Sequence, residues 1–317
     1  MTPETQASYR KLAEHFYSTR LGGQPPTPKR LADALRACAG EYRPAYFRRL
    51  RNAIEFDQHD KGFSESAIRV AGVKNPVTAS GSTIEVKPKR ASAKRVTKAD
   101  EDRIFEHLVQ RKDKDTYYAL KIIAATGVRP AELRAVTIAG NVVTVEGAKK
   151  SHDGKRGADR QIVVDPAIAK LLARAVEHAR GVDISKVKDR LRAAGKELWP
   201  QRKAVPTMYT WRHQVGSDLK ASGLSRVEIA FVMGHQSTES VDRYGNSKTA
   251  RKGALCPRAA AGADMSHVRI DHKAPPGAPQ RAAVRDLGKT DELHKGAFAG
   301  AVKRAFGGLG NDSVAPR

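Results

Sequence analysis

The stretch from residue 207 to residue 246 constrains the fold more than any other part of the chain. Its pattern predicts a helix from Met208 to about Ala221 and, after a tight turn, a second and shorter helix. Gly223 lies where a left-handed glycine commonly ends a helix. Ser225 and Glu228 have the spacing of a capping box, which starts the second helix. We therefore expect a mainly helical framework around this pair of helices.

Polar side chains typical of an anion-binding site accompany these helices. Tyr209 and Arg212 lie three residues apart, so they share one face of the first helix. His235 follows the second helix, and Tyr244 comes shortly after it. An arginine, a histidine and a tyrosine around one point can bind an anion and place a nucleophile beside it. His213 is interpreted differently, as a buried histidine whose hydrogen bonds are satisfied.

The charge of the chain indicates the class of its partner. The 317 residues carry a net charge of +24, with 58 Lys and Arg against 34 Asp and Glu. So large a positive charge favours a polyanionic partner, most simply nucleic acid. A basic ribosomal or nucleoid protein that does no chemistry is the alternative.

Membrane insertion and export are not expected. No apolar run approaches the roughly 20 residues that a membrane-spanning helix needs, and no N-terminal export signal is present. Cys38 and Cys256 are too few, and too far apart in sequence, for a disulfide framework or a zinc site. We therefore expect a cytoplasmic, nucleoid-associated protein without membrane contact.

The chain divides into four predicted segments. Residues 1–75 have the pattern of four short helices with an arginine-rich face, a module able to cross a DNA backbone. Residues 76–96 lack helical periodicity and are predicted to be a basic linker. Residues 97–255 contain further helices and a pair of strands. Residues 256–317 are rich in Ala, Gly and Pro and are expected to form a largely mobile tail, with one amphipathic helix near residues 292–306.

An arginine at a helix junction is a further candidate for binding phosphate. A buried helix is predicted to end near Gly127, and Pro130 fits the first turn of another helix that reaches Val136. Arg129 lies between the two, three residues before Glu132. Its guanidinium is always charged and can bind a phosphate through two parallel hydrogen bonds. The structural alternative is an ion pair between Arg129 and Glu132.

A predicted β-hairpin carries the remaining candidates. Residues 141–146 and 161–164 alternate as two paired strands. The polar, basic loop between them contains Lys149 and Lys150, and a lysine there could reach into a DNA groove and deliver a proton. The alternative for either lysine is ordinary solvation. His152, in the same loop, is left unassigned.

Taken together, these motifs resemble the tyrosine recombinase, or phage integrase, family. The similarity rests on TGVRPAEL at residues 126–133, a lysine between two strands and Arg212-His213 on a helix. Met-Gly-His at residues 233–235 and the later Tyr244 complete the pattern. Each fragment alone is modest, but their order and spacing together make a specific signal.

The resemblance implies a two-domain architecture that is mainly α with a small antiparallel β-sheet. It covers roughly residues 97–250, the α+β catalytic domain, and residues 1–75 are similar to the family's helical core-binding domain. One position departs from the family's pattern, because Tyr209 stands where a histidine is usual, three residues before the arginine. A phenol can donate a hydrogen bond to a phosphate oxygen but is a poor base near neutral pH.

These residue types suit the transfer of a DNA phosphodiester to a tyrosine. Tyr244 would attack the phosphorus, giving a covalent 3′-phosphotyrosine and a free 5′-hydroxyl. Arg129 and Arg212 would neutralise the non-bridging oxygens. His235 would hydrogen-bond the phosphate or help to take the tyrosine proton. Because one ester replaces another, no metal, no ATP and no other cofactor are needed.

The leaving oxygen needs an acid, and either Lys149 or Lys150 would supply the proton, with the family's pattern favouring Lys149. The resemblance further implies that four protomers act on two duplexes through a Holliday junction. The expected partners are double-stranded DNA at a specific site, three further copies of the chain and DNA-bending accessory proteins. The candidate catalytic residues are Arg129, Lys149, Tyr209, Arg212, His235 and Tyr244.

Three functions remain open at this point. The first is a site-specific recombinase of a mobile element. The second is a type IB topoisomerase, which uses much the same groups as a monomer to relax supercoils. The third is a DNA-binding protein without catalytic activity, for which Tyr209 is the one argument. The helical N-terminal module and the spacing from His235 to Tyr244 favour the recombinase.

Overall fold

Helices dominate the part of the chain that the computed structural model describes, residues 1–148 and 158–270. The chain forms two compact units, one of residues 1–90 and a second that begins at Ala91. We call them the N-terminal unit and the C-terminal unit. Within the described ranges, no helix is both long and apolar enough to cross a membrane.

Threonine caps and prolines start the first two helices of the N-terminal unit. Thr2 and Thr27 each accept a hydrogen bond from the backbone three residues further on, and a proline occupies the first turn of both helices. The helices pack around a core that includes Leu31, Leu35 and Phe47. Their bounds are α1 Pro3–Arg20, α2 Pro28–Ala37, α3 Pro44–Asp60 and α4 Ser64–Ala71, with short 3-10 turns at Ala39–Glu41 and Pro76–Thr78.

Six helices in the described residues of the C-terminal unit pack around its core. Thr97 caps the first of them through the backbone N–H of Asp100, and Gly127 ends the second in the left-handed conformation at φ +69°. The end at Gly127 agrees with the sequence prediction. The helices are α5 Lys98–Gln110, α6 Lys114–Thr126, α7 Pro166–Ala179, α8 Ile184–Leu198, α9 Met208–Ala221 and α10 Arg226–Val232.

A small antiparallel sheet completes this unit. Its strands, in the order β1-β2-β3-β4, are β1 Val136–Ala139, β2 Val142–Val145, β3 Arg160–Val163 and β4 Arg258–Ala259. Val136 pairs with Val145, and Ile162 pairs with Ala259. Strands β2 and β3 are the two that the sequence predicted.

Two parts of the sheet differ from the sequence prediction. The expected helix from Pro130 to Val136 is wrong: residues 130–135 form a 3-10 helix, and Val136 begins β1. The β-branched Val136 instead pairs across the sheet, where such side chains pack well. β4 was not predicted, because it lies in the tail and pairs with β3 across a long sequence separation. Residues 271–317 of that tail, with the helix expected near residues 292–306, lie outside the described residues.

Candidate active site

Arg212 occupies the centre of the candidate site, within α9. It is fully buried, and its guanidinium donates to the main-chain carbonyls of Gly127 and Met233. These carbonyls lie just beyond the ends of α6 and α10, where helices leave unpaired acceptors with partial negative charge. Two helix ends thus solvate one buried cation. Burial, followed by the charges of Arg129 and Arg160, lowers the pKa of Arg212 to about 10, so the side chain stays charged at neutral pH.

Arg129 approaches the same point from the start of the 3-10 helix. Its backbone is extended (φ −72°, ψ 148°), as expected for a residue before proline. Nη1 donates to Oε1 of Glu132 at 2.6 Å, and Nη2 donates to the carbonyl of Gly234 at 2.7 Å. The Arg129–Glu132 ion pair that the sequence suggested as an alternative does exist. It does not exclude a phosphate role, because the Arg129 side chain remains 13% exposed.

Arg160 is a third arginine in this cluster, and the sequence interpretation missed it. It is the first residue of β3 and its side chain is completely buried. Nη2 donates to Oε2 of Glu132 at 2.9 Å, and Nε donates to the carbonyl of Val232 at 2.9 Å. The available signal was the alternation of the strand, which places Arg160 on the same inward face as Ile162.

Glu132 is the carboxylate that pairs with two of these three arginines, Arg129 and Arg160. Burial alone would raise its pKa, but Arg160 and then Arg129 hold the pKa of Glu132 at about 2. The carboxylate is therefore ionised at neutral pH, and its charge offsets only one of the three cations. Within the described residues, Nη1 of Arg160 and Nε of Arg212 are buried without a hydrogen-bond partner. The cluster keeps an excess of positive charge and of donors, which suits an anion.

Gly234 lets the guanidinium groups pack against the main chain. Its φ is +63°, and a Cβ there would lie 2.5 Å from Nη1 of Arg160 and 3.1 Å from Nη1 of Arg129. No side chain fits that space. The glycine after α10 therefore serves both the left-handed turn and the close approach of two arginines.

His235 follows that glycine and is 5% exposed. Its Nε2 lies 3.0 Å from Nη2 of Arg212. Because a guanidinium only donates, Nε2 must accept and the imidazole proton must lie on Nδ1. Burial, followed by the charges of Arg212 and Arg129, lowers the pKa of His235 to about 2. The ring is therefore neutral, with an N–H available for donation.

Tyr244 follows the 3-10 turn Thr238–Arg243, and its ring lies beside one arginine and two histidine side chains. The Cζ atom of Arg212 is 4.9 Å from the ring centroid. The rings of His235 and His213 have their centroids 4.8 Å and 4.9 Å away, and the His213 ring is stacked, with 28° between the planes. The described residues thus bring Tyr244, Arg212 and His235 together, and Arg129 reaches the same Gly234-His235 turn.

The remaining sequence candidates lie apart from this cluster or outside the described residues. Tyr209 is in the first turn of α9 and is 47% exposed, and its side chain makes no hydrogen bond within the part of the chain that is described. Lys149, Lys150 and His152 fall in residues 149–157, outside the described ranges. In residues 1–148 and 158–270, no group of three or more His, Cys, Asp or Glu side chains is placed to hold a metal ion.

The sequence of the C-terminal unit matches a known family. The model described as the phage integrase family matches residues 94–251. The chain belongs to the phage integrase family. This match spans every candidate residue named above. No curated protein matches the chain in sequence.

Solved structures of integrases share the fold of this phage integrase family member. The Tn1549 transposon integrase in complex with a circular intermediate DNA is 15% identical, with a TM-score of 0.53 over 77% of this chain and 90% of that one. A lambda integrase dimer bound to a COC′ core site is 17% identical, with a TM-score of 0.51 over 76% and 90%. The prediction of a mainly α, tyrosine-recombinase architecture with a small antiparallel sheet is confirmed.

Proposed function

We propose that this chain is a site-specific DNA recombinase that cleaves and rejoins DNA through a covalent 3′-phosphotyrosine at Tyr244. The observation that carries the proposal is the packing of the Tyr244 ring against the buried guanidinium of Arg212. A nucleophile needs to lie beside the groups that stabilise its transition state, and here one tyrosine lies beside a cluster with excess positive charge. The integrase structures with which the chain shares its fold are complexes with DNA, which supports DNA as the partner.

The scissile phosphate would bind to the arginine cluster. Arg129 and Arg212 would donate to its non-bridging oxygens, where negative charge grows as the tyrosine oxygen approaches the phosphorus. The cluster is pre-formed, since backbone carbonyls and Glu132 hold both guanidinium groups. Neutral His235 would add its Nδ1–H as a further donor.

Bond exchange would then follow the chemistry of an ester transfer. The Tyr244 hydroxyl gives its proton to water as its oxygen bonds to phosphorus, and the bond from phosphorus to the 5′ oxygen breaks. The departing oxygen takes a proton from Lys149 or Lys150 and becomes a free 5′-hydroxyl. Attack by a 5′-hydroxyl on the phosphotyrosine reverses the steps, so neither ATP nor a metal ion is required. Tyr209 would donate a hydrogen bond to the phosphate from the edge of the site.

The organisation of the chain is part of the same proposal. Residues 1–75 would be the core-binding domain and residues 97–255 the catalytic domain, joined by the basic linker 76–96. Four copies would assemble on two duplexes and exchange strands through a Holliday junction, with DNA-bending accessory proteins as further partners. The net charge of +24 supports DNA as the partner, because contacts between basic side chains and phosphates supply much of the affinity of a protein for DNA.

A covalent-capture experiment tests the proposal. A library of nicked duplexes with a randomised core is incubated with the protein, since the short strand 5′ to a nick diffuses away and traps the phosphotyrosine. Adducts that survive denaturation are isolated and sequenced, which also identifies the target site. We expect adducts with the wild type and with the control Tyr118→Phe, and none with Tyr244→Phe, which still binds DNA.

Two outcomes would overturn the proposal. An adduct formed equally by Tyr244→Phe would place the nucleophile elsewhere. Relaxation of supercoiled plasmids that lack the captured site, by a monomer, would favour a type IB topoisomerase instead.

A further inference from the structure

We infer that His213, on α9, is a positioning residue that sets the orientation of the Tyr244 ring. The inference rests on the proposed role of Tyr244 as the nucleophile. His213 touches this tyrosine in two ways: its ring stacks on the phenol ring, with centroids 4.9 Å apart, and its Nδ1 accepts a hydrogen bond from the backbone N–H of Gly245 at 3.3 Å. One side chain therefore contacts both the ring and the peptide unit that follows it.

Residues 244–246, which we call the tyrosine segment, lie directly on the backbone of α9. A Cβ on Gly216 would be 3.2 Å from Cβ of Tyr244, and a Cβ on Gly245 would be 2.3 Å from the backbone nitrogen of Ser217. Gly245 also has φ +66°. The two glycines thus allow the backbone around Tyr244 to pack closely against α9. His213 lies one helical turn before Gly216 and Ser217, on the same face of α9.

The hydrogen bond from Gly245 defines the state of the imidazole. Since the backbone N–H donates, Nδ1 must be unprotonated, and the proton of the neutral ring lies on Nε2. Burial lowers the pKa of His213, and the positive charges of Lys94, Arg212 and Lys220 act in the same direction. A protonated ring could not accept from Gly245 and would add a further cation beside Arg212. The surroundings therefore maintain the form that holds the tyrosine segment.

Other contacts hold the rest of this segment, so His213 acts mainly on the ring. Oγ of Ser217 accepts from the backbone N–H of Asn246 at 2.9 Å, and Nζ of Lys220 donates to the carbonyl of Gly245 at 3.0 Å. Further along, Arg251 donates to Asp218. Loss of His213 should leave the segment docked while releasing the phenol to rotate.

The contrast with Tyr209 strengthens this assignment. Both residues lie on α9, one turn apart. Tyr209 is 47% exposed and its side chain makes no hydrogen bond within the described part of the chain, whereas the His213 ring stacks on that of Tyr244. His213 is therefore the histidine of α9 that can influence the nucleophile, although the sequence pattern indicates only a buried histidine with satisfied hydrogen bonds.

Graded variants test the inference. His213→Phe keeps a ring to stack but loses the acceptor, and His213→Ala loses both. His178→Phe is the matched control, because His178 also contacts a tyrosine ring, that of Tyr118 at 5.0 Å, but lies outside the site. DNA affinity, the thermal unfolding midpoint and the single-turnover rate of covalent capture on the same nicked substrate are measured for each.

We expect unchanged DNA affinity with a graded loss of rate. The rate should fall about tenfold in His213→Phe and about 30-fold or more in His213→Ala, as expected for the loss of one hydrogen bond and then of the stacking as well. A substrate with sulfur in place of the 5′-bridging oxygen, which needs no proton on leaving, should not restore the rate, because the defect lies in the attacking group.

The outcomes separate this inference from the proposed function. Capture by His213→Ala at the wild-type rate, or a rate restored by the sulfur substrate, overturns the positioning role while the tyrosine mechanism stands. A loss that only follows DNA affinity or the unfolding midpoint overturns it as well. A wild type that forms no adduct overturns the proposed function, and this inference with it.

Discussion

The arginines of the N-terminal unit differ from those of the candidate active site in how they are held. In the N-terminal unit, Arg10 pairs with Asp60 at 2.9 Å, and both side chains are well exposed. In the site, Arg160 and Arg212 are fully buried and depend on backbone carbonyls and on Glu132. An exposed guanidinium is solvated by water, so its substitution costs little unfolding free energy. A buried one is held by fixed acceptors, so both its position and its charge are specified.

This difference separates two uses of positive charge. Exposed arginines add to a field that attracts any polyanion, and each acts almost independently. The buried cluster instead fixes donors at one point, where they can act on a single phosphate. Net charge predicts the first use, and only the contacts of particular residues reveal the second. Substitutions in each region test this difference.

Loss of the buried carboxylate should have the largest effect. Glu132→Gln leaves Arg129 and Arg160 without a counter-charge, and breaking a buried pair in this way typically costs about 3–5 kcal/mol of unfolding free energy. The matched control Glu41→Gln removes the exposed partner of Arg20 and should leave the unfolding midpoint almost unchanged. Denaturant unfolding measures both. Equal effects of the two substitutions would contradict the distinction between the regions.

The same pair gives a dependence on pH. The pKa of Glu132 is about 2 in the folded chain, against an ordinary value of 4.5. A depressed pKa means that the ionised carboxylate stabilises the fold above its ordinary pKa, and that this stability is lost as the pH falls towards 2. The difference in unfolding free energy between the wild type and Glu132→Gln should therefore decrease as the pH falls from 4.5 to about 2.

Replacement of the central arginine should have the next largest effect. Arg212→Lys keeps a positive charge but cannot reach both helix-end carbonyls and the phosphate with one fork. We expect the capture rate to fall about 100- to 1000-fold, as when one transition-state donor is removed. Arg20→Lys, an exposed exchange in the N-terminal unit, serves as the control and should leave the rate unchanged. Similar losses from both exchanges would show that charge alone, and not geometry, matters.

Removal of an exposed arginine should have the smallest effect. Arg48 is exposed on α3, and Arg48→Gln should weaken DNA binding to all sequences alike and reduce the slope of log affinity against log salt by about 1. The capture rate of the saturated complex should stay the same. Fluorescence anisotropy at several salt concentrations measures the slope. A change in rate without a change in slope would assign Arg48 to the chemistry.

Local signals made most of the fold predictable from sequence. Terminal glycines act within a few residues, so the end of α6 at Gly127 was predicted where it is observed. The helix expected after Pro130 failed because the pairing of Val136 with Val145 outweighed the local helix signal. β4 depends on a partner nearly a hundred residues away, which no local pattern reveals.

The site was predictable only where motif spacing carried it. Arg129, Arg212, His235 and Tyr244 were chosen from their order along the chain, and Arg212, His235 and Tyr244 lie in contact. Arg160 was missed because an arginine in a polar hairpin usually faces solvent, and its burial depends on Glu132 from a distant element. The catalytic roles of all these residues, and of Lys149 and Lys150, stay predictions that the capture experiments test.

Mapping the covalent bond to a peptide would identify the residue that attacks the DNA. DNA-trapped protein is digested with nuclease and trypsin, and mass spectrometry locates the residual nucleotide. Cleavage after Arg243 and Lys248 releases a short peptide that begins with Tyr244, and we expect this peptide to carry the nucleotide. A nucleotide found instead on the peptide that contains Tyr209, or on any other, would contradict it.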